Sequence, residues 1–167
     1  KVYFGEFSEG GQHGHGASYD QSGNIYLGEF GDGQRNGQGI LVFGAGDNEG
    51  TVYIGEFMDN KIHGRGVAIQ TNGDLQSGEF FDNTFINPND NSEAIYQVIN
   101  FNNGDRYAGE VKDGYAIRGV LEFNRHGDIY VGELVNGVLS GGIYINDDGN
   151  IHFGEYNAVS GVPNGRG

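Results

Sequence analysis

Val52-Tyr53-Ile54-Gly55-Glu56-Phe57-Met58 is a pattern that the whole chain repeats. Its Gly-Glu pair recurs at Gly5-Glu6, Gly28-Glu29, Gly55-Glu56, Gly78-Glu79, Gly109-Glu110, Gly132-Glu133 and Gly154-Glu155, at spacings of 23, 27, 23, 31, 23 and 22 residues. A period of this size marks an array whose units pack on their neighbours. Inside the unit, strand alternation places residues 53, 55 and 57 on one face and 54 and 56 on the other. Glycine between two aromatics leaves a flat spot for a facing group. The run Gly64-Arg65-Gly66-Val67-Ala68-Ile69-Gln70 has the β-branched residues of a partner strand. Between the two, Asp59 to His63 reads as a short polar hairpin loop.

Five copies carry a Tyr two residues before the Gly: Tyr3, Tyr26, Tyr53, Tyr107 and Tyr130. Five carry an aromatic after the Glu: Phe7, Phe30, Phe57, Phe80 and Tyr156. The second half of the unit reads His13-Gly14-His15-Gly16, Asn36-Gly37-Gln38-Gly39 and His63-Gly64-Arg65-Gly66, and decays to Arg118-Gly119 and Ser140-Gly141-Gly142. The joints Ser22-Gly23-Asn24, Asn72-Gly73-Asp74, Asn103-Gly104-Asp105, His126-Gly127-Asp128 and Asp148-Gly149-Asn150 set Gly between polar residues, the chemistry of tight turns with positive φ. Both connections are therefore hairpins, and the strands run up and down in chain order.

This pattern resembles the MORN repeat, whose unit is Tyr-x-Gly-Glu-aromatic, a turn, then His-Gly-x-Gly. The resemblance spans Val2 to Gly167 and divides residues 1–167 into one array, with repeats near 2–24, 25–51, 52–74, 75–105, 106–128, 129–150 and 151–167. It implies an all-β fold, an elongated single-layer antiparallel β-meander of up to fourteen strands. Those the sequence places lie near 3–8, 26–30, 36–43, 53–58, 66–70, 76–80, 95–101, 106–111, 119–124, 129–134, 142–146 and 151–156. The fourth repeat breaks the cadence: Gln76 replaces its Tyr, and an insertion fills Asn83 to Ala94, read as a mobile protruding loop with a turn of helix after Pro88. Phe85 and Ile86 docking on the sheet as a clasp is the alternative. The array divides at this point, where a bend is expected. A smaller insertion, Gly44 to Gly50, enlarges the second joint.

Bulk properties narrow the partners. The net charge of −14, with nine Lys and Arg spread singly, argues against nucleic acid and disfavours anionic membrane lipid. The absence of cysteine removes disulfides and thiolate metal sites. It fits the cytoplasm, and equally a repeat-stabilised protein elsewhere. No run of about 18 apolar residues spans a membrane. The start at Lys1 reads as a fragment or processed form.

Candidate chemistry is sparse. Seven glutamates in register are read as structural acceptors of N–H or Tyr hydroxyl bonds, since a catalytic residue would occur once. His13 and His15 alternate on one strand face but lack a third ligand, and no metal or cofactor is expected. Asp47-Asn48-Glu49-Gly50 and Asp147-Asp148-Gly149-Asn150 are turn chemistry and not a calcium loop. The glycines sit in hairpins, so none opens a helix toward a phosphate. What remains is the aromatic ladder Tyr3, Phe7, Tyr26, Phe30, Tyr53, Phe57, Phe80, Tyr107 and Tyr130. These rings stack in place of a core, and part of the strip is expected to stay accessible as a partner-binding face. The resemblance implies a non-catalytic scaffold that binds a protein partner or another copy of itself. A phosphoinositide tether and an accessory domain cut from an enzyme are the alternatives.

Overall fold

The computed structural model of the chain describes residues 2–87 and 95–155, and the chain divides into two compact units, Lys1–Ser92 and Glu93–Gly167. The first holds β1 (Val2–Ser8), β2 (Gly11–Tyr19), β3 (Ile25–Gly31), β4 (Gln34–Val42), β5 (Val52–Met58), β6 (Lys61–Ile69), β7 (Leu75–Phe81) and β8 (Thr84–Asn87). The second holds β9 (Ile95–Asn100), β10 (Arg106–Lys112), β11 (Tyr115–Phe123), β12 (Asp128–Val135), β13 (Val138–Ile145) and β14 (Ile151–Glu155). Each unit is one antiparallel sheet in chain order, of eight and six strands. The single meander read from the sequence is thus two sheets, interrupted between β8 and β9 where the fourth repeat loses its signature.

Register explains the glycines. Gly5, Gly16, Gly28, Gly39, Gly55, Gly66 and Gly78 face one another in turn, forming a track of backbone across the first sheet. Gly109, Gly119, Gly132, Gly142 and Gly154 do the same in the second. The rows flanking this track carry the apolar residues. Ile25, Val42, Val52 and Ile69 are buried, as are Ala17, Ile40, Ile54 and Val67.

Two strand assignments are corrected. The strand Gly11–Tyr19, which the sequence indicates only through the alternation of His13 and His15, is absent from the bounds placed above, and Lys61 to His63 belong to β6, not to a loop. The reason is turn chemistry. Glu9-Gly10, Asp32-Gly33, Asp59-Asn60, Asp82-Asn83, Asp113-Gly114 and Asn136-Gly137 have positive φ at both residues, the two-residue type I′ turn matched to strand twist. Strands therefore resume two residues after the first arm ends. The tip turns also join successive hairpins: Gly33, Asn60 and Asn83 donate their N–H groups to the carbonyls of Gln12, Arg35 and Ile62.

The insertion after Phe81 is corrected likewise. Residues 84–87 pair with β7, and Phe85 packs on Phe80 with ring centroids 5.1 Å apart while Ile86 faces solvent. Its remainder, including the helical turn expected after Pro88, lies outside the described residues, as do Tyr156 and the last repeat's second half. Among the described residues there is no helix.

Because each hairpin is held by neighbours on both sides, native-state hydrogen exchange should protect the amides of β5 and β6 far more than those of β1 and β14. Uniform protection across the strands would contradict the nearest-neighbour picture.

Candidate functional site

Each tyrosine of the ladder lies over the glycine track. A methyl group added at Gly66 would stand 2.3 Å from the Tyr53 hydroxyl oxygen, and one at Gly39 2.5 Å from the Tyr26 ring. Gly16 meets Tyr3 in the same way, whereas in the second sheet a methyl at Gly132 would meet the Gly141 carbonyl oxygen at 2.4 Å before the Tyr130 hydroxyl at 2.6 Å. No real side chain tolerates such distances, so glycine here is space for a ring. The hydroxyl then reaches past the glycine and donates to the carbonyl of the following Glu: Tyr3 to Glu6, Tyr26 to Glu29, Tyr53 to Glu56, Tyr107 to Glu110 and Tyr130 to Glu133, at 2.7–3.1 Å.

The glutamate carboxylates serve a second backbone feature. Opposite each, the partner strand bulges through a glycine with positive φ: Gly14 (φ 60), Gly37 (φ 76) and Gly64 (φ 67). Into that bulge the carboxylates of Glu6, Glu29 and Glu56 accept the N–H groups of His15, Gln38 and Arg65. The sequence reading is thus half right in detail. The carboxylate takes N–H donors, whereas the Tyr hydroxyl uses the backbone carbonyl of the same residue. In the second unit, Ile117 stands in the bulge and Arg118 instead pairs with Glu110 at 2.9 Å.

The phenylalanines link the tyrosines edge to face. Phe7, Tyr3, Phe30 and Tyr26 follow one another at 5.0–5.1 Å, and Tyr26, Phe57, Tyr53 and Phe80 at 5.0–5.2 Å, with interplanar angles of 82–90°. Such pairs are worth about 0.5–1.5 kcal/mol each beyond their buried area. The second sheet replaces the Phe by Val111 and Leu134, which pack beside Tyr107 and Tyr130.

Of the nine candidate rings, Tyr26, Phe30, Tyr53, Phe57, Phe80, Tyr107 and Tyr130 are buried. Tyr3 is half-buried, and Phe7 is 65% exposed. The accessible part of the ladder is its β1 end, because the edge-to-face chain covers each interior ring with the next.

One residue of this face escaped the sequence reading. Arg35 sits opposite Phe30, where the other repeats have Gln12 and Ile62. Its guanidinium lies over the rings of Tyr26 and Phe57, 5.6 and 5.5 Å from their centroids, and donates to the Asn60 carbonyl at 2.7 Å. Burial lowers its pKa, opposed by Tyr26 and Asp20. Aligning the residues that face the Phe of each repeat would have singled it out.

The remaining candidates are turn and packing groups. Partial burial would raise the Asp20 carboxyl, but bonds from Asn24 and Ser22 outweigh it and hold it below the usual value. His63 packs on Phe81 at 5.0 Å, with its Nδ1 buried and unpartnered. Among the described residues, no three His, Asp or Glu are grouped to hold a metal ion.

The family model described as MORN repeat matches residues 3–25, 26–48 and 53–75, the three repeats that keep the full Tyr, Glu and Phe set. No curated protein matches the chain.

Burial holds the Tyr26 and Tyr107 hydroxyls well above the usual value of 10.0. A folded-state pKa raised this way contributes stability that is complete below the unfolded value and lost above it, as unfolded tyrosines ionise and folded ones do not. Stability should therefore hold to about pH 10 and fall beyond it. Absorbance titration should show late tyrosines ionising together with loss of the β-sheet circular dichroism signal. Ionisation of all tyrosines near pH 10, with the sheet intact, would contradict this.

Proposed function

The chain belongs to the MORN-repeat family, and from that premise we propose that it is a non-catalytic scaffold that binds a protein partner through the accessible end of its aromatic face. MORN repeats in general mediate interaction with proteins or membrane lipids and are in general non-catalytic. The observation that carries the reading is the contrast along one ladder. Interior rings are sealed against each other, while Phe7 stays 65% exposed beside a half-buried Tyr3. A large rigid ring held in place offers contact area at low entropic cost, and such residues dominate interface hot spots.

Other chemistry has less support. The recurring Glu6, Glu29 and Glu56 carboxylates and the ladder tyrosines are engaged in holding the backbone and are not free to serve as acid and base. Anionic lipid is opposed by a net charge of −14. Nucleic acid is opposed by the same charge.

A photoreactive benzoylphenylalanine in place of Phe7 should capture a protein that the same group in place of Val135, exposed on the second sheet, does not. That protein, purified, should bind the unmodified chain at least about tenfold tighter than Phe7→Ser, and should do so at high salt. Capture of lipid instead of protein, or equal binding by Phe7→Ser, would overturn the reading.

A further inference from the structure

Five Asn-Gly steps occur in the chain, at 36–37, 72–73, 103–104, 136–137 and 164–165, the last outside the described residues. In such a step the backbone nitrogen can attack the preceding carboxamide, because glycine has no Cβ to hinder the approach. Attack requires the carboxamide to swing toward that nitrogen, and the nitrogen to be free to lose its proton. The fold therefore decides which steps react.

Three of the four described steps are held. The Asn72 carboxamide donates to the Asp74 carboxylate at 2.8 Å and accepts the Asp74 N–H at 2.9 Å. The Gly73 N–H is itself engaged, donating to the Gln70 carbonyl at 2.9 Å. Asn103 repeats this with Asp105 at 2.7 and 3.1 Å, and the Gly104 N–H donates to the Phe101 carbonyl at 2.9 Å. Asn36 accepts the Asp59 N–H at 3.2 Å and donates to the Gly31 carbonyl at 3.5 Å, and Gly37 lies within β4 opposite Phe57.

Asn136 differs. It forms the tip between β12 and β13 with Gly137, and both are exposed. Among the described residues, none bonds to its carboxamide or to the Gly137 N–H, and a methyl group added at Gly137 would meet nothing within 4 Å. At the same turn position in the first sheet, Gly33, Asn60 and Asn83 donate their N–H groups to the preceding hairpin.

From this contrast we propose that Asn136 is a site of spontaneous deamidation, which converts it to an isoaspartyl link. The Gly137 nitrogen gives its proton to hydroxide and bonds to Asn136 Cγ. The Cγ–Nδ2 bond breaks, and Nδ2 takes a proton from water and leaves as ammonia. Water then opens the cyclic imide. Cleavage between the Gly137 nitrogen and the backbone carbonyl carbon gives isoaspartate, and cleavage at Cγ gives aspartate. Both products add a carboxylate, and isoaspartate also lengthens the backbone of the turn by one methylene. That turn sets Leu134 opposite Leu139, where Leu134 packs with Tyr107 and Tyr130.

The test holds the whole chain at mildly alkaline pH and follows all four steps by peptide mass mapping, with chromatography to separate isoaspartyl from aspartyl peptides. Asn136 should convert at least about tenfold faster than Asn72 or Asn103, which must first break their hydrogen bonds. In guanidinium chloride the four steps should convert at similar rates. Asp74→Ala, with its fold checked by circular dichroism, should speed Asn72 and leave Asn136 unchanged. Conversion of Asn72 or Asn103 as fast as Asn136 in the folded chain would overturn the proposal. So would the same ranking after denaturation, or aspartate as the sole product at Asn136.

Discussion

Everything in the fold depends on a phenol ring lying flat on glycine backbone. At Gly66 the nearest atoms to an added methyl would be three atoms of Tyr53, all within 2.7 Å. That closeness lets the ring bury completely against the backbone of its own sheet. It also sets the relative size of the contributions. Burying a large aromatic ring is worth roughly 1.5–3 kcal/mol. The hydrogen bond from its hydroxyl adds about 1 kcal/mol net. Packing therefore dominates, and the hydroxyl chiefly fixes where the ring stops.

The same contact accounts for the rest of the unit. A strand whose glycine must sit under a ring has little side-chain packing of its own, so its conformation needs outside support. The glutamate supplies it by accepting the N–H beyond the bulge, and the tip turns supply it by bonding to the preceding hairpin. The phenylalanines then convert single rings into a chain, so that repeats in the first sheet stabilise one another. Where this set erodes, the arrangement changes: Ile117 fills the bulge, an Arg118–Glu110 ion pair replaces the carboxylate's N–H bond, and aliphatics stand in for Phe. Of the rings in the ladder itself, Phe7 is the one left exposed, while Phe81, Phe101 and Tyr115 are exposed outside it.

Much of this was legible in the sequence. The Gly-Glu period, the alternation around Tyr53 and the Gly-centred joints lead directly to antiparallel hairpins. Asp59-Asn60 does not stand out as a complete turn because the loop-like run continues to His63, and polarity alone does not say where a strand resumes. The positive φ available to Asp and Asn at both positions does. Residues 84–87 lack the repeat signature, which leaves loop and clasp both open in the sequence, yet Phe85 follows the same turn chemistry and docks on Phe80. In the ladder, the membership of the rings was evident, but their burial was not. Burial depends on rings covering rings of the next repeat, a contact between residues more than twenty positions apart. Arg35 was missed because a lone cation in a repeat looks like surface until the register sets it opposite Phe30.

The most direct test is a double-mutant cycle between Tyr53 and Gly66, read by urea denaturation. If glycine is there to admit the ring, Gly66→Ala should destabilise the chain by about 1–3 kcal/mol or more in the presence of Tyr53. In a Tyr53→Leu background, where the hydroxyl and the far edge of the ring are gone, most of that cost should disappear, giving a coupling above about 1 kcal/mol. Additive losses, with Gly66→Ala equally costly in both backgrounds, would mean that the glycine serves its own backbone and not the ring, and would contradict the account.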